Sequence, residues 1–101
     1  MTSKQDDETP CLIKFPFGRL VATPGALEAF QRAGGSPAHF LRRHLAGDWG
    51  DLDEHDRAEN ERSLAQGYRL LSAYHLSDGT KVWLITEADR SNTTFLLPEE
   101  Y

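Results

Sequence analysis

Residues 68–76 constrain the fold most, because apolar and polar side chains there follow a period of two residues. That period is typical of a β-strand, in which successive side chains point to opposite faces of a sheet. Asp78-Gly79 is a preferred two-residue hairpin turn, so residues 81–87 are predicted to return as an antiparallel partner. In that register Tyr74 lies opposite Trp83, as an aromatic cross-strand pair.

Three helices are predicted ahead of this hairpin. Thr23-Pro24 and Ser36-Pro37 are favourable helix starts, because the hydroxyl caps the helix and proline needs no N–H at the first position. These two helices should cover residues 24–33 and 37–46. Asp53 is predicted to cap a third helix that ends at Gly67. Helical spacing places these residues on the inner faces of the first two helices: Ala26, Leu27, Phe30, Ala33, Phe40, Leu41, His44 and Leu45.

The order of elements predicts a single α+β domain over residues 16–101. It consists of a short strand at residues 19–22, the three helices, and a three-stranded antiparallel meander that ends at residues 93–97. The helices should cover one face of a mostly antiparallel sheet, to which the first strand is added. Residues 1–15 are predicted to be a flexible acidic lead-in, whose last five residues are apolar and strand-like.

Composition excludes several classes of protein. One cysteine cannot form an intrachain disulfide, and no apolar run approaches the length of a membrane span. The acidic amino terminus lacks the features of a secretion signal, so we expect a cytoplasmic protein. The formal net charge of -5 argues against direct nucleic-acid binding, which requires clustered Lys and Arg.

This charge is concentrated in one segment, residues 48–61, which we call the acidic block. The block has a net charge of -6, because Arg57 is its only basic residue, and the rest of the chain sums to +1. Its acidic residues are Asp48, Asp51, Asp53, Glu54, Asp56, Glu59 and Glu61.

The acidic block suggests a protein-binding surface. Carboxylates along a helix can imitate phosphates and dock on the basic groove of a nucleic-acid-handling protein. Trp49 would either fold into the core or remain exposed as a binding anchor. The predicted partner-binding residues are Asp48, Trp49, Asp51, Asp53, Glu54, Asp56 and Glu59. The alternative is a solvated helix face without a partner.

A second polar segment, between the last two strands, could line a small-ligand or catalytic site together with Trp49. Its candidate residues are Glu87, Asp89, Arg90, Ser91 and Thr93. The alternative is that Asp89 and Arg90 brace the turn. A third hypothesis is a homo-oligomer in which exposed strand edges pair across a two-fold axis.

No catalytic residue, metal ligand or cofactor site is predicted. His44 and Asp48, like Asp51 and His55, have ligand-like spacing, but Gly47 and the end of the second helix interrupt it. Cys11 has no neighbouring base in the sequence, and the serines lack a nucleophile-elbow context.

Several motifs resemble a family of small bacterial proteins found on plasmids and integrated elements. They comprise residues 18–28, His44, residues 47–51, Asn60, and residues 70–74, 85–91, 93–94 and 97–101. Some members are loosely labelled restriction-modification components, although this chain has no cofactor-binding glycine motif of a methyltransferase. The resemblance implies a small non-enzymatic protein that modulates host defence or DNA handling.

Overall fold

In a computed structural model, residues 13–101 are described, and their helices and strands follow the predicted order. The elements are β1 (Arg19–Ala22), α1 (Pro24–Ala33), α2 (Pro37–Leu45), α3 (Glu54–Gln66), β2 (Leu70–His75), β3 (Lys81–Thr86), β4 (Asn92–Leu96) and a 3-10 helix (Pro98–Glu100). The α+β class is therefore confirmed. No helix within residues 13–101 combines the length and the apolar character needed to cross a bilayer.

The sheet is mixed, which corrects the expected antiparallel meander. Its strand order is β1-β4-β3-β2, and β1 runs parallel to β4. The β2–β3–β4 meander itself is antiparallel, as predicted. Parallel neighbours need a long crossover, and here the three helices and two strands between β1 and β4 provide it.

The predicted hairpin register is wrong by one residue. Ala73, and not Tyr74, lies opposite Trp83. Because side chains alternate between faces, this shift places Tyr74 and Trp83 on opposite faces of the sheet. Tyr74 packs in the core beneath the helices, whereas Trp83 contacts Tyr101 on the other face, at 5.6 Å between ring centroids.

The turn explains the shift. Leu76 donates its N–H to the Thr80 carbonyl at 2.8 Å, so three residues connect the strands instead of two. Gly79 is the last of the three, with φ at 90°, a left-handed conformation that glycine adopts without steric cost. Its N–H donates to the Leu76 carbonyl at 2.9 Å, which closes a tight turn inside the connection.

Two apolar clusters fill the space between the helices and the sheet. The first contains Ala26, Ala29, Phe30, Phe40, Tyr74, Leu76, Val82, Leu84 and Phe95. The second contains Phe15, Leu45, Trp49 and Leu70, with Leu52 and Leu64 packed against it. Leu52 and Leu64 therefore anchor the two ends of α3 to this cluster.

Two details of the expected core differ. Leu27 is 49% exposed, because the inner face of α1 is centred on Ala26, Ala29 and Phe30. Phe15, the last residue of the predicted lead-in, is 5% exposed and packs in the core. Residues 13–18 form no strand, and the rest of the lead-in, including Cys11, lies outside the described residues.

Helix α3 closes the outer edge of β2. Asp53 caps α3 as predicted, by accepting from the Asp56 N–H at 2.8 Å. Asn60, the one buried residue of α3, imitates a neighbouring strand: its side chain bonds both the N–H and the C=O of Leu71. The backbone of Ala73 is paired in the same way with Trp49 and Asp51.

Asn60→Ala should lower the free energy of unfolding by about 2–3 kcal/mol. Two hydrogen bonds are lost, and the Leu71 backbone is left unpaired at a partly buried site. Urea unfolding measures the loss, with Gln66→Ala as the control at an exposed position of α3. Equal stability of the two variants would show that Asn60 does not hold this edge.

Candidate functional site

The acidic block lies along the closed β2 edge, but Trp49 does not lie on its surface. The Trp49 side chain is 4% exposed, and its indole N–H donates to a Glu61 carboxylate oxygen at 2.8 Å. The ring packs against Phe15 and Leu45. Of the two places predicted for Trp49, the ring occupies the core, and Glu61 is directed towards the ring that it binds.

Asp48 is held by an internal ion pair. The Arg43 guanidinium reaches both of its carboxylate oxygens, at 2.7 and 3.3 Å, and lies 4.6 Å from the centre of the Tyr74 ring. This hydrogen bond to Arg43 is the main reason that the pKa of Asp48 is lowered. Tyr74 donates its hydroxyl to the Asp48 carbonyl at 2.7 Å, which fixes the loop to the sheet.

Three further carboxylates of the block also have internal partners. Asp51 contacts His75 at 2.5 Å, and Asp53 caps α3. Glu59 pairs with Arg62 at 3.1 Å, where the Arg62 side chain is 63% exposed and that of Glu59 47%. An exposed pair of this kind contributes little stability, so Glu59 could exchange Arg62 for a partner's cation.

Glu54 and Asp56 have no cation within 4 Å among residues 13–101. The sequence suggested one row of carboxylates along a helix, but Glu54 and Asp56 do not lie in one row with the others. A helix turns about 100° per residue, which places Glu54 and Glu61 on one flank of α3 and Asp56 and Glu59 on the other. The exposed carboxylates that remain for a partner are therefore Glu54, Asp56 and Glu59.

The loop between β3 and β4 is braced by Arg90. Its guanidinium donates to the carbonyls of Tyr68 at 2.7 Å and Glu87 at 3.1 Å. Arg90 is also the one non-glycine residue within 13–101 that has a positive φ, at 61°. These contacts favour the bracing role over a role in ligand binding.

The other candidate residues of this loop do not converge on Arg90. Asp89 accepts from the Ser91 N–H at 2.9 Å, and Glu87 contacts Arg69 at 3.6 Å. Thr93 is fully buried. The ring of Phe15 separates Arg90 from Trp49, since it packs against both.

A buried polar network joins α2 to three strands. His44, on α2, is 0% exposed. Its Nδ1 lies 2.6 Å from the Ser72 hydroxyl and its Nε2 lies 2.9 Å from that of Thr86. Thr86 bonds Thr93 at 2.8 Å, and Thr93 donates to the Phe17 carbonyl at 2.8 Å.

The last hydrogen bond of this network, from Thr93 to Phe17, determines the tautomer of His44. The Phe17 carbonyl can only accept, so Thr93 must donate to it and must accept from Thr86. Thr86 then has no proton left for His44, so Nε2 carries the ring proton. Nδ1 therefore accepts from Ser72.

Burial keeps His44 uncharged. The loss of solvation is the main cause, and the charge of Arg90 adds to it, so the pKa of His44 falls from 6.5 to about 3. Ser72 and His44 resemble a nucleophile and its base, but both are fully buried. A catalytic pair must reach its substrate, so this network holds the fold together instead.

The sequence placed His44 on the inner face of α2 but missed its partners. Ser72, Thr86 and Thr93 are polar residues at inward-facing positions of three different strands. Such positions are the signal that could have revealed the network, because buried hydroxyls need partners. In the predicted register, Thr86 faces away from Ser72.

Within residues 13–101, no three His, Cys, Asp or Glu side chains come together in a way that could hold a metal ion. In the pairs His44–Asp48 and Asp51–His55, which have ligand-like spacing in the sequence, His44 and Asp51 have other partners. His44 binds hydroxyls, and Asp51 contacts His75.

Comparisons with known proteins give no family for this chain. Neither protein-family models, nor curated proteins, nor solved structures match it.

Arg90→Ala should lower the free energy of unfolding by about 1–2 kcal/mol, because exposed and partly buried backbone carbonyls lose a charged donor. Arg90→Lys should restore little of this, since an ammonium group cannot reproduce the fork of the guanidinium. Thermal unfolding compares the two with Arg42→Ala, at an exposed position. Full stability of Arg90→Ala would contradict the bracing role.

The buried His44 should make stability depend on pH. Its pKa is lower in the folded chain, so its contribution is complete above pH 6.5 and is lost as the pH falls towards 3. Between about pH 7.5 and 5.5, the free energy of unfolding should fall by about 1.4 kcal/mol from this group.

The variant Ser72→Ala/His44→Leu/Thr86→Val removes the titrating group and both of its partners, and Thr93 keeps its bond to Phe17. This pH dependence should disappear in the variant and persist in His55→Gln, which changes an exposed histidine. Urea unfolding at several pH values provides the comparison. If the variant and the wild type have the same slope, His44 is not the group responsible.

Proposed function

We propose that this chain is a protein-binding module that docks the exposed carboxylates of α3 on a basic surface of a partner protein. The observation that carries the proposal is that α3 buries only Asn60 along thirteen residues. Because α3 buries so little of its surface, most of its side chains face outwards. The carboxylates at this surface are Glu54 on one flank of α3 and Asp56 and Glu59 on the other.

The proposed docking surface contains fewer carboxylates than the acidic block as a whole. Asp48 and Asp51 are paired with Arg43 and His75, and Asp53 caps the helix. Glu54 and Asp56 lie in the first turn of α3, where the helix dipole favours negative charge. Because Glu54 and Asp56 have no cationic partner among residues 13–101, they lose no ion pair within this part of the chain when they bind a basic surface.

A protein partner suits this surface better than a nucleic acid. The exposed charge is negative, and phosphates would be repelled by it. Carboxylates on a rigid helix can occupy positions where a basic protein binds phosphates, and electrostatic attraction would accelerate the encounter. The resemblance to proteins of plasmids and integrated elements supports a partner that acts in host defence or DNA handling.

The small-ligand alternative has weaker support. Arg90 already binds backbone carbonyls, and Thr93 is buried in the His44 network. A ligand at this loop would have to displace one of these contacts.

Glu54→Gln/Asp56→Asn should weaken partner binding about thirtyfold, since two interfacial charge pairs are lost and each contributes roughly 1 kcal/mol. The partner is captured from a bacterial host lysate and identified by mass spectrometry, and its affinity is then measured with purified proteins at low and high salt. Both the affinity and its salt dependence should decrease in the variant.

The matched control is Glu28→Gln/Glu99→Gln, which removes the same charge at two exposed positions outside the acidic block. It should bind like the wild type. If both double variants bind equally well, or lose affinity equally, the α3 carboxylates do not form the docking surface.

A further inference from the structure

β1 lies at one end of the sheet, so its outer edge faces away from the other strands. Arg19 donates its N–H to Ser91 of the neighbouring chain segment, and Thr23 donates to Phe95, both at 3.0 Å. Backbone groups alternate in direction along a strand, so those of Leu20 and Ala22 point away from the sheet. Among residues 13–101, no strand pairs with this edge.

This edge is also apolar on both faces of the sheet. Leu20 is 40% exposed on the helix-covered face, opposite Thr93, and Val21 is 37% exposed on the other face, opposite Thr94. Natural proteins usually protect an open edge with charges, prolines or covering segments. Arg19 is the one charged residue of β1.

The opposite edge of the sheet is closed. Asn60 bonds the Leu71 backbone, and the segment around Gly50 pairs with Ala73. A sheet with two open edges could add copies without limit, whereas one open edge permits a single symmetric pairing. Such an assembly stops at two copies.

Charge favours the same arrangement. The acidic block, with its net charge of -6, lies along the β2 edge, and the rest of the chain sums to +1. β3 and β4 separate β1 from that edge. Two copies that meet at β1 therefore keep their acidic blocks at opposite ends of the assembly, where their repulsion is weakest.

We propose that β1 pairs antiparallel with β1 of a second copy, across a two-fold axis at Val21. Leu20 of each copy then exchanges both of its backbone hydrogen bonds with Ala22 of the other. The two Val21 side chains face each other, and Arg19 faces Thr23, so like charges do not meet. The proposal does not depend on the function of the α3 surface.

Opposite charges at position 21 test the two-fold axis directly. Wild-type full-length protein should be a dimer in sedimentation equilibrium. Val21→Lys and Val21→Glu should each raise the dimer dissociation constant about fivefold or more, since like charges then lie directly opposite. An equimolar mixture of the two should recover dimers, because unlike charges then face each other.

Tyr68→Lys is the control, because it adds the same charge at an exposed aromatic residue beside the closed edge. It should dimerise like the wild type. Circular dichroism of each variant checks that the fold is retained. A monomeric wild type, or a Val21→Lys variant that dimerises as well as the wild type, would overturn the proposal.

Amide hydrogen exchange distinguishes a second copy from other occupants of the edge. The N–H groups of Leu20 and Ala22 should exchange rapidly in dilute protein and more slowly as its concentration rises. Protection that is independent of concentration would mean that the edge is covered within one chain, and would also overturn the proposal.

Discussion

The neutral side chain of His44 is a buried junction between a helix and the sheet. It joins α2 to β2 through Ser72 and to β3 through Thr86, which continues to β4 and the segment before β1. The hydrogen bonds run in one direction, because the chain ends at a carbonyl. Moving β3 by one residue would turn Thr86 to the other face, so the network and the strand register require each other.

Local signals predicted the elements well. Thr23-Pro24 and Asp53 begin helices in the structure, because capping depends on residues close in the chain. The prediction of the hairpin register was wrong, since Gly79 fits either a two-residue or a three-residue connection. Local patterns do not predict the role of Asn60, because it binds the backbone of a residue eleven positions away. They do predict that Arg90 braces its own turn, but not that it also binds the Tyr68 carbonyl, 22 residues away.

The number of carboxylates in the acidic block is larger than the number that its surface leaves without an internal partner. In sequence the carboxylates form one run, but Asp48 and Asp51 are opposed by Arg43 and His75 from other elements. Glu61 is bound by the Trp49 indole. The sequence identifies the segment that carries the negative charge. The packing determines which carboxylates of that segment remain exposed.

The acidic block and the closure of the β2 edge belong to the same segment. Residues 49–60 provide the backbone and the amide that pair with β2, and the carboxylates between them surround that edge with negative charge. Charge near an edge opposes pairing with another strand, so the closure is reinforced electrostatically. β1 itself contains no carboxylate. The two ends of the sheet are therefore suited to different contacts, and a partner on α3 and a second copy at β1 could bind at the same time.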